Sequence, residues 1–416
     1  MVNSIKEVVE NDLCISCGAC TFSCDKSDVK MQESKNKGVY LPRVSEELED
    51  SFDICPGKGY EIEGIAKSIF PEAKHNDIDL GRWSGAYSVH SNLEKITKNA
   101  ASGGIMVGIA QYLLEEKVVS GVLTTKFKYG PNGPRPESFI ATNVDELIES
   151  QGSKYCPVPV FEGLDAINEF EGSLVFIGTP CQIAALKMLQ TKHDFLNKKI
   201  ILTIGNFCGG YRDFRETDKI IKRASFEKNL ITKFRYRGDG QPGSMLLEDS
   251  SGKQKKLPYP NYARMTGVVK YLRCRLCVDA TAELADFSCG DAWIPKYLKS
   301  GRAWSIVLAR SNKAVSILNE LEAKELITRE QVSVEDIKSS QRGNLTSKKN
   351  RQKGRMKLYK LLGYKLPSFD GGYHKNNEGL MLEFKVHVSH TIFSILERIG
   401  LYKMFSKLIG RYPKGL

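Results

Sequence analysis

The order of apolar and polar positions divides the chain into three textures. From Trp83 to about Arg329, short runs rich in Val, Ile, Leu and Phe alternate with longer runs of helical period. Residues 118–126, 173–178, 199–207 and 304–310 predict strands, and residues 105–116, 182–190 and 313–325 predict helices between them. This alternation predicts an α/β layer arrangement with some parallel pairing. Residues 245–257 alternate about Ser250-Ser251-Gly252 and predict an inserted hairpin. Up to about Phe70 neither period is evident, so this stretch reads as a small module that apolar burial alone would not hold, with a short linker at 71–81. Beyond Ser340, residues 343–369 carry Lys348, Lys349, Arg351, Lys353, Arg355, Lys357, Lys360 and Lys365 with no acid. Ile392, Phe393, Ile395, Leu396, Ile399, Met404, Phe405, Leu408 and Ile409 then recur at helical spacing, with Lys403, Lys407 and Arg411 between them. The expected division is a module at 1–80, an α/β body at 81–330, and a basic arm with an amphipathic helix at 331–416.

Composition narrows the class. With 416 residues, 41% hydrophobic and 26% charged, the chain is an ordinary soluble globular sequence of two or three domains, which excludes disordered and collagen-like chains. No run reaches the roughly 18 apolar residues of a spanning helix. The first ten residues lack the basic-then-apolar layout of a secretory signal, so a cytoplasmic location is expected. The net charge is +12, yet from Gln331 onward there are 17 Lys or Arg against 6 Asp or Glu, so the basic character belongs to the C-terminal fifth. Nucleic acid is not the expected partner, because base-stacking aromatics are sparse there and no reader motif occurs. Two alternatives stand for this region: an arm and helix drawn to an anionic membrane surface, or a helix packed on the body with a solvated arm.

Eleven cysteines without an export signal favour metal or redox use over disulfides. Cys14-x2-Cys17-x2-Cys20-x3-Cys24 is a ferredoxin spacing, in which closely spaced thiolates grip the corners of one [4Fe–4S] cubane. Gly18 lets the backbone pass close to the sulfurs. In the bacterial pattern the cysteine followed by proline serves a different cluster from its three neighbours. Here Asp25 follows Cys24, whereas Pro56 follows Cys55. The preferred ligands are therefore Cys14, Cys17, Cys20 and Cys55, with Cys24 as the rival fourth. A second set, Cys274-x2-Cys277-x11-Cys289, needs one more thiolate. Cys208 is the first choice because it ends an apolar strand and precedes Gly209-Gly210, with Cys181 and Cys156 as alternatives. A second iron–sulfur cluster is the leading reading, and structural zinc the competing one.

Ala101-Ser102-Gly103-Gly104 precedes a helical run, so its free N–H groups suit a phosphate or a flavin edge. Gly178-Thr179-Pro180-Cys181-Gln182 ends a strand and opens a helix, with Pro180 at the first helical position. Neither has the glycine spacing of a dinucleotide fingerprint or a P-loop. The six histidines form no HExxH-type pair and are expected to be packing or surface residues.

Taken together, Cys14 to Cys24, Ser102-Gly103-Gly104, Gly152-Ser153-Lys154-Tyr155, the segment from Gly178 to Gln182, Phe207-Cys208, Cys274 to Asp279, Ala285-Asp286 and Gly290-Asp291 resemble one family over about residues 10 to 310. It is that of the beta subunits of coenzyme F-420 reducing hydrogenases and dehydrogenases. The family includes ferredoxin-dependent 7-hydroxymethyl chlorophyll a reductases and bacterial members in polysaccharide gene clusters. The resemblance implies a ferredoxin-like [4Fe–4S] module followed by a mixed α/β flavin-binding domain with a second [4Fe–4S] cluster, here with a basic helical C-terminal extension. It also implies FAD held by Ser102, Gly103, Gly104, Lys154, Tyr155, Thr179 and Pro180. Lys154 and Tyr155 are the candidate proton or hydrogen-bond donors beside the flavin. The expected function is an iron–sulfur flavoprotein oxidoreductase linking ferredoxin or another small carrier to an organic substrate, with cell-surface polysaccharide metabolism as one setting. The alternative is an electron-transfer subunit without substrate chemistry of its own. Three features depart from the family: Asp25 replaces the usual proline, a second complete ferredoxin motif near Cys55 is missing, and the basic extension lies outside the family core.

Overall fold

The apolar runs ending at Gly178 and Asn206 lie side by side in the middle of an eight-stranded sheet. The computed structural model describes residues 1–22, 30–162, 165–265, 270–375, 379–398 and 401. Cys24 and the sequence positions Ile399, Met404, Phe405, Leu408 and Ile409 lie outside the described residues.

The sheet strands are β1 (Gly85–Ser91), β2 (Gly121–Lys128), β3 (Arg135–Ala141), β4 (Leu174–Gly178), β5 (Ile200–Asn206), β6 (Phe287–Asp291), β7 (Ser305–Ala309) and β8 (Ile327–Gln331). Their spatial order is β8-β1-β7-β6-β5-β4-β2-β3. β2, β4, β5 and β6 run parallel to their neighbours in this group, and the flanking pairs are antiparallel. The central strands are apolar almost throughout because helices cover both faces. On one face, α1 (Ile105–Glu115) and α3 (Asn312–Ala323) pack with Val175, Ile204, Phe287 and Val307. On the other, α2 (Pro180–Lys192) packs through Ile183, Ala184, Leu186 and Leu189. α2 starts at Pro180, ahead of the expected residue 182, because Thr179 and Gln182 close a reciprocal capping box around its first turn. The expected hairpin is present as Ser244–Asp249 paired with Gln254–Pro258, and Ile231–Gly238 adds a third antiparallel strand.

The N-terminal segment has only short elements, including helix Ile5–Glu10, paired strands Met31–Ser34 and Val39–Pro42, and helix Ile62–Ile69. Its Ile15, Ile54, Tyr60 and Ile62 share an apolar cluster with Phe161, Phe176 and Val278 of the body. At the other end, the basic run is not a solvated arm. Helices Val334–Ser340 and α4 (Gln352–Leu361) flank a widened turn at Thr346–Asn350, and Lys348, Lys349 and Arg355 are 3%, 0% and 4% exposed. Ser368–Phe369 then pairs in parallel with Gly59–Tyr60, tying the two ends of the chain together. α5 (Leu380–Arg398) follows.

Candidate functional site

Two groups of thiols, the first buried and the second mostly half-buried, lie next to one another beside the carboxyl ends of the parallel strands. The first group comes from the N-terminal turns. Burial pushes the Cys14 thiol up to about 12, with Cys55 adding to the shift. Burial also pushes Cys17 and Cys20 up, and in each Cys55 and Cys14 contribute further. These four thiols are thus mutual neighbours in a water-poor site. Gly18 is required by its surroundings: its φ is +81°, and a Cβ there would meet Glu162 N at 3.0 Å. The close approach is to the 161–162 backbone, whose Phe161 N donates to Cys17 O at 2.8 Å.

The second group gathers at the strand ends. Cys181 sits in the first turn of α2, Cys208 follows β5, and Cys274 lies in the short helix Leu272–Arg275. Burial pushes Cys181 up to about 12, and Cys277, Cys208 and Cys274 add to it. Cys274 is pushed up to about 12 by burial, then by Cys208 and Cys277. Backbone N–H groups already face these sulfurs: Gly210 N donates to Cys208 at 3.3 Å and Tyr211 N to Cys274 at 3.5 Å. Cys289 is not in this gathering. It lies in β6, 3% exposed among Ile204, Phe287 and Val307, and burial is the only cause of its raised pKa. The sheet's alternation turns its side chain toward the apolar layer under α1 and α3. Cys156 is also apart, in an apolar cluster with Phe234 and Tyr236.

The surroundings fit iron–sulfur clusters. Cys181 acts on Cys17, so the groups are adjacent, and the stacked rings of Tyr211 and Tyr271, 5.3 Å apart, feel both Cys14 and Cys274. The hydroxyls of Tyr60, Tyr211 and Tyr271 and Nη1 of Arg273 are buried here without a hydrogen-bond partner, and buried donors of this kind need acceptors such as cluster sulfur. Arg273, 1% exposed, donates to Gly57 O at 3.2 Å and Pro56 O at 2.6 Å, joining the Cys55 turn to the Cys274 helix. Among the described residues no three His, Cys, Asp or Glu side chains close on one point as a lone ion demands.

The second group opens into a cavity of about 570 Å³, within the usual size of a cofactor site. Ser102, Gly104, Lys154, Tyr155, Thr179 and Pro180 line it. Gly103 supports the loop from behind, since a Cβ there would meet Val89 O at 2.6 Å and Ser305 N at 2.8 Å. Ser102 Oγ donates to Trp304 O at 2.8 Å and Gly103 N to Ser305 Oγ at 3.0 Å, pinning the loop to β7. Gly104, with φ +75°, turns the chain into α1, whose N–H groups face the site. Lys154 Nζ donates to Ser150 O at 2.5 Å, and burial pulls its pKa down to about 8. The Tyr155 ring leans on Tyr236, with centroids 5.5 Å apart. Residues that the sequence did not assign to a cofactor site complete the wall. Arg237 is paired with Asp291 at the end of β6, and Lys270 is pulled down to about 8 by burial. Gln341, Asn344 and Lys348 reach in from the C-terminal segment.

Comparison with known proteins places this geometry. Residues 86–165 match the N-terminal region, and residues 172–335 the C-terminal region, of the coenzyme F420 hydrogenase/dehydrogenase beta subunit, together more than half of the chain. The chain is 24% identical over 347 residues to the coenzyme F420-dependent sulfite reductase of Methanocaldococcus jannaschii, covering 79% of this chain but only 49% of that protein. It is 26% identical over 272 residues to the coenzyme F420 hydrogenase subunit beta of Methanococcus voltae, covering 63% of this chain and 88% of that subunit. A chain of the F420-reducing [NiFe] hydrogenase complex of Methanosarcina barkeri, solved as a xenon derivative, superposes with a TM-score of 0.55 at 19% identity, covering 70% of this chain and 98% of that one. With these matches over more than half of its length, the chain belongs to the coenzyme F420 hydrogenase/dehydrogenase beta subunit family.

Proposed function

We propose that the protein is an iron–sulfur flavoprotein oxidoreductase that moves electrons between a small one-electron carrier or deazaflavin and an organic substrate. The observation behind this reading is the pair of adjacent thiol groups, one buried and one half-buried, the second of which borders the flavin-sized cavity. Cys14, Cys17, Cys20 and Cys55 would hold one [4Fe–4S] cluster, and Cys181, Cys208, Cys274 and Cys277 a second, with Cys181 in the place first assigned to Cys289. When bound, the clusters supply one-electron transfer and FAD supplies two-electron transfer. The chain's own part is to orient and to exclude water. Ser102 and Thr179 offer polar contacts, Gly104 leaves the α1 N-terminus open to an anionic group, and Tyr155 walls the cavity. Lys154 Nζ, close to its titration point near neutral pH, holds the proton that a reduced substrate takes up.

The decisive test starts from anaerobically purified protein. Brown material containing iron and flavin is expected, with turnover of an organic acceptor by reduced ferredoxin in the absence of any other subunit. Colourless protein lacking both would end this reading. A second reading, an electron-transfer subunit docked on a larger enzyme, is favoured by relatives that are named as subunits. Cluster bleaching without product, together with a co-purifying subunit, would select it.

We further propose that the protein is cytoplasmic and docks on an anionic membrane leaflet through α5. No helix among the described residues is long and apolar enough to cross a membrane. α5 nevertheless exposes Met381, Phe384, Val388, Ile392 and Ile395, one stripe at helical spacing, beside Lys385. The sequence after it adds Lys403, Lys407, Arg411 and Lys414 without an acid. Apolar insertion with basic flanks fits such a surface. Co-sedimentation with anionic vesicles should be lost in the Ile392→Glu/Ile395→Glu variant, and equal sedimentation of both proteins would remove the idea.

A further inference from the structure

The basic C-terminal segment turns inward at one place. Thr346–Asn350 is a π-type turn, a widened geometry that recurs at functional sites. It buries two consecutive lysines, and their partners differ. Lys349 Nζ pairs with the Glu283 carboxylate and donates to Gly372 O at 2.7 Å, which closes its hydrogen bonding and its charge. Lys348, among the described residues, makes no salt bridge. Its Nζ donates to Asp279 O at 2.6 Å and to Cys277 Sγ at 3.4 Å, and Cys208 and Cys274 lie near enough to act on it electrostatically. A buried ammonium needs an anion to offset its lost hydration; beside the Asp279 carbonyl, this one touches the Cys277 sulfur, and the three cysteines act on it ahead of the Asp279 charge.

We propose that Lys348 is a positioning residue of the second thiol group, whose fixed positive charge raises the reduction potential of the cluster held by Cys181, Cys208, Cys274 and Cys277. The inference rests on the function proposed above. Reduction adds one electron to a site that is already anionic, and a fixed cation in contact with one ligand stabilises the reduced form more than the oxidised form. The ammonium does so from a water-poor position, where its effect is little screened. Hydrogen bonding to a ligand sulfur acts in the same direction. The family match stops at residue 335, so this charge is supplied by a segment beyond the shared region. Gln341 and Asn344 of the same segment line the cavity, which makes the extension part of the redox site as well as its cover.

The test uses the full chain, reconstituted anaerobically, as wild type, Lys348→Gln and Lys348→Arg. Iron content, folding by circular dichroism, and a dithionite titration followed by electron paramagnetic resonance are read together. With both clusters retained, Lys348→Gln should shift the reduction equilibrium of one cluster at least tenfold toward the oxidised form, about 59 mV for a one-electron couple. Lys348→Arg should stay within threefold of wild type. Should Lys348→Gln lose the second cluster, retention of that cluster at near-wild-type potential in Lys348→Arg still supports a need for charge. An unchanged potential in Lys348→Gln, or equal shifts in both variants, would overturn the inference while leaving the proposed function intact. Wild-type protein that binds no second cluster would overturn both.

Discussion

Cys181, half-buried, and Cys289, buried, both border the cavity, but only Cys181 stands among the other thiols of the second group, so replacing each by alanine gives results that differ in kind. Cys289 contributes one sulfur to the apolar layer of β6, where burial alone raises its pKa. Its loss removes about one methylene-equivalent of apolar burial, about 0.8 kcal/mol, plus a small cavity term, so Cys289→Ala should cost about 1–2 kcal/mol. Iron content should not change. Cys181 stands among Cys208, Cys274 and Cys277, and Cys181→Ala removes one of four cluster ligands. Its iron should fall to about half of wild type, since the Cys14 group keeps its own complement. Both variants are to be reconstituted under identical anaerobic conditions and assayed for iron per chain, with urea unfolding run on Cys289→Ala. Half the iron missing from Cys289→Ala, with Cys181→Ala fully loaded, would refute the ligand assignment drawn from the structure.

Three further outcomes follow from the packing. Lys349→Met leaves the Glu283 carboxyl, 4% exposed, without its cation, and should cost about 3–5 kcal/mol in urea unfolding. Lys349→Met/Glu283→Gln should recover much of that, and a single-variant loss below about 1 kcal/mol would show that the C-terminal segment is not bound as described. Gly59 has φ +97°, and a Cβ there would lie 1.8 Å from Ser368 O. Gly59→Ala should therefore break the pairing with Ser368–Phe369, cost about 1–3 kcal/mol or more, and speed proteolysis of the 362–379 connection; unchanged cleavage would contradict the pairing. Burial lowers Lys154 from 10.5 to about 8, so the folded state releases a proton that the unfolded state keeps. Its contribution to stability is present above pH 10.5 and is lost as pH falls through 8, so apo wild type should gain stability relative to Lys154→Met across that window. Parallel pH profiles would exclude a buried Lys154 ammonium.

The elements that sequence periodicity located well are those buried on both faces. β4, β5 and β7 are apolar runs between helices, and each lies within two residues of its expected limits. β3 and β8 escaped notice because they are edge strands: RPESFIA and ITREQ carry polar residues where water reaches them. β6 is hidden for another reason, since in Phe287-Ser288-Cys289-Gly290-Asp291 the cysteine spacing is a stronger signal than the short strand around it. The same reading makes Cys289 the expected ligand, where the proposed set has Cys181. Spacing shows that thiols are near in sequence, but only the strand's alternation decides which face Cys289 takes. Cys181 was legible as an alternative because Thr179-Pro180 marked a helix start, and the β4 end puts that start beside Cys208. The basic run misled most. Lysines at 348 and 349 read as part of a membrane-drawn or a solvated arm, and nothing local reveals that a widened turn directs both inward, because their partners Cys277 and Glu283 lie some 70 residues away in sequence.

The interior charge balance leads to a last prediction, for removal of iron. At neutral pH the uncoordinated thiols stay protonated, since burial and their neighbours push Cys14, Cys181 and Cys274 up to about 12. Coordination instead requires thiolates, and thiolates supply the anions that Lys348 and Arg273 otherwise lack. Binding of clusters and burial of these cations are therefore coupled. Chelation under reducing conditions should do more than bleach the protein: it should lower the urea midpoint and expose residues 341–361, whose helices cover the second thiol group. Limited proteolysis with mass mapping, holo against apo, would show new cleavage there first. Lys348→Met protein, with the cation gone, should lose less stability on chelation than wild type does. If holo and apo wild type unfold at the same urea concentration and cut at the same bonds, the thiol groups and the basic segment are energetically independent, and the coupling argued from their contact is wrong.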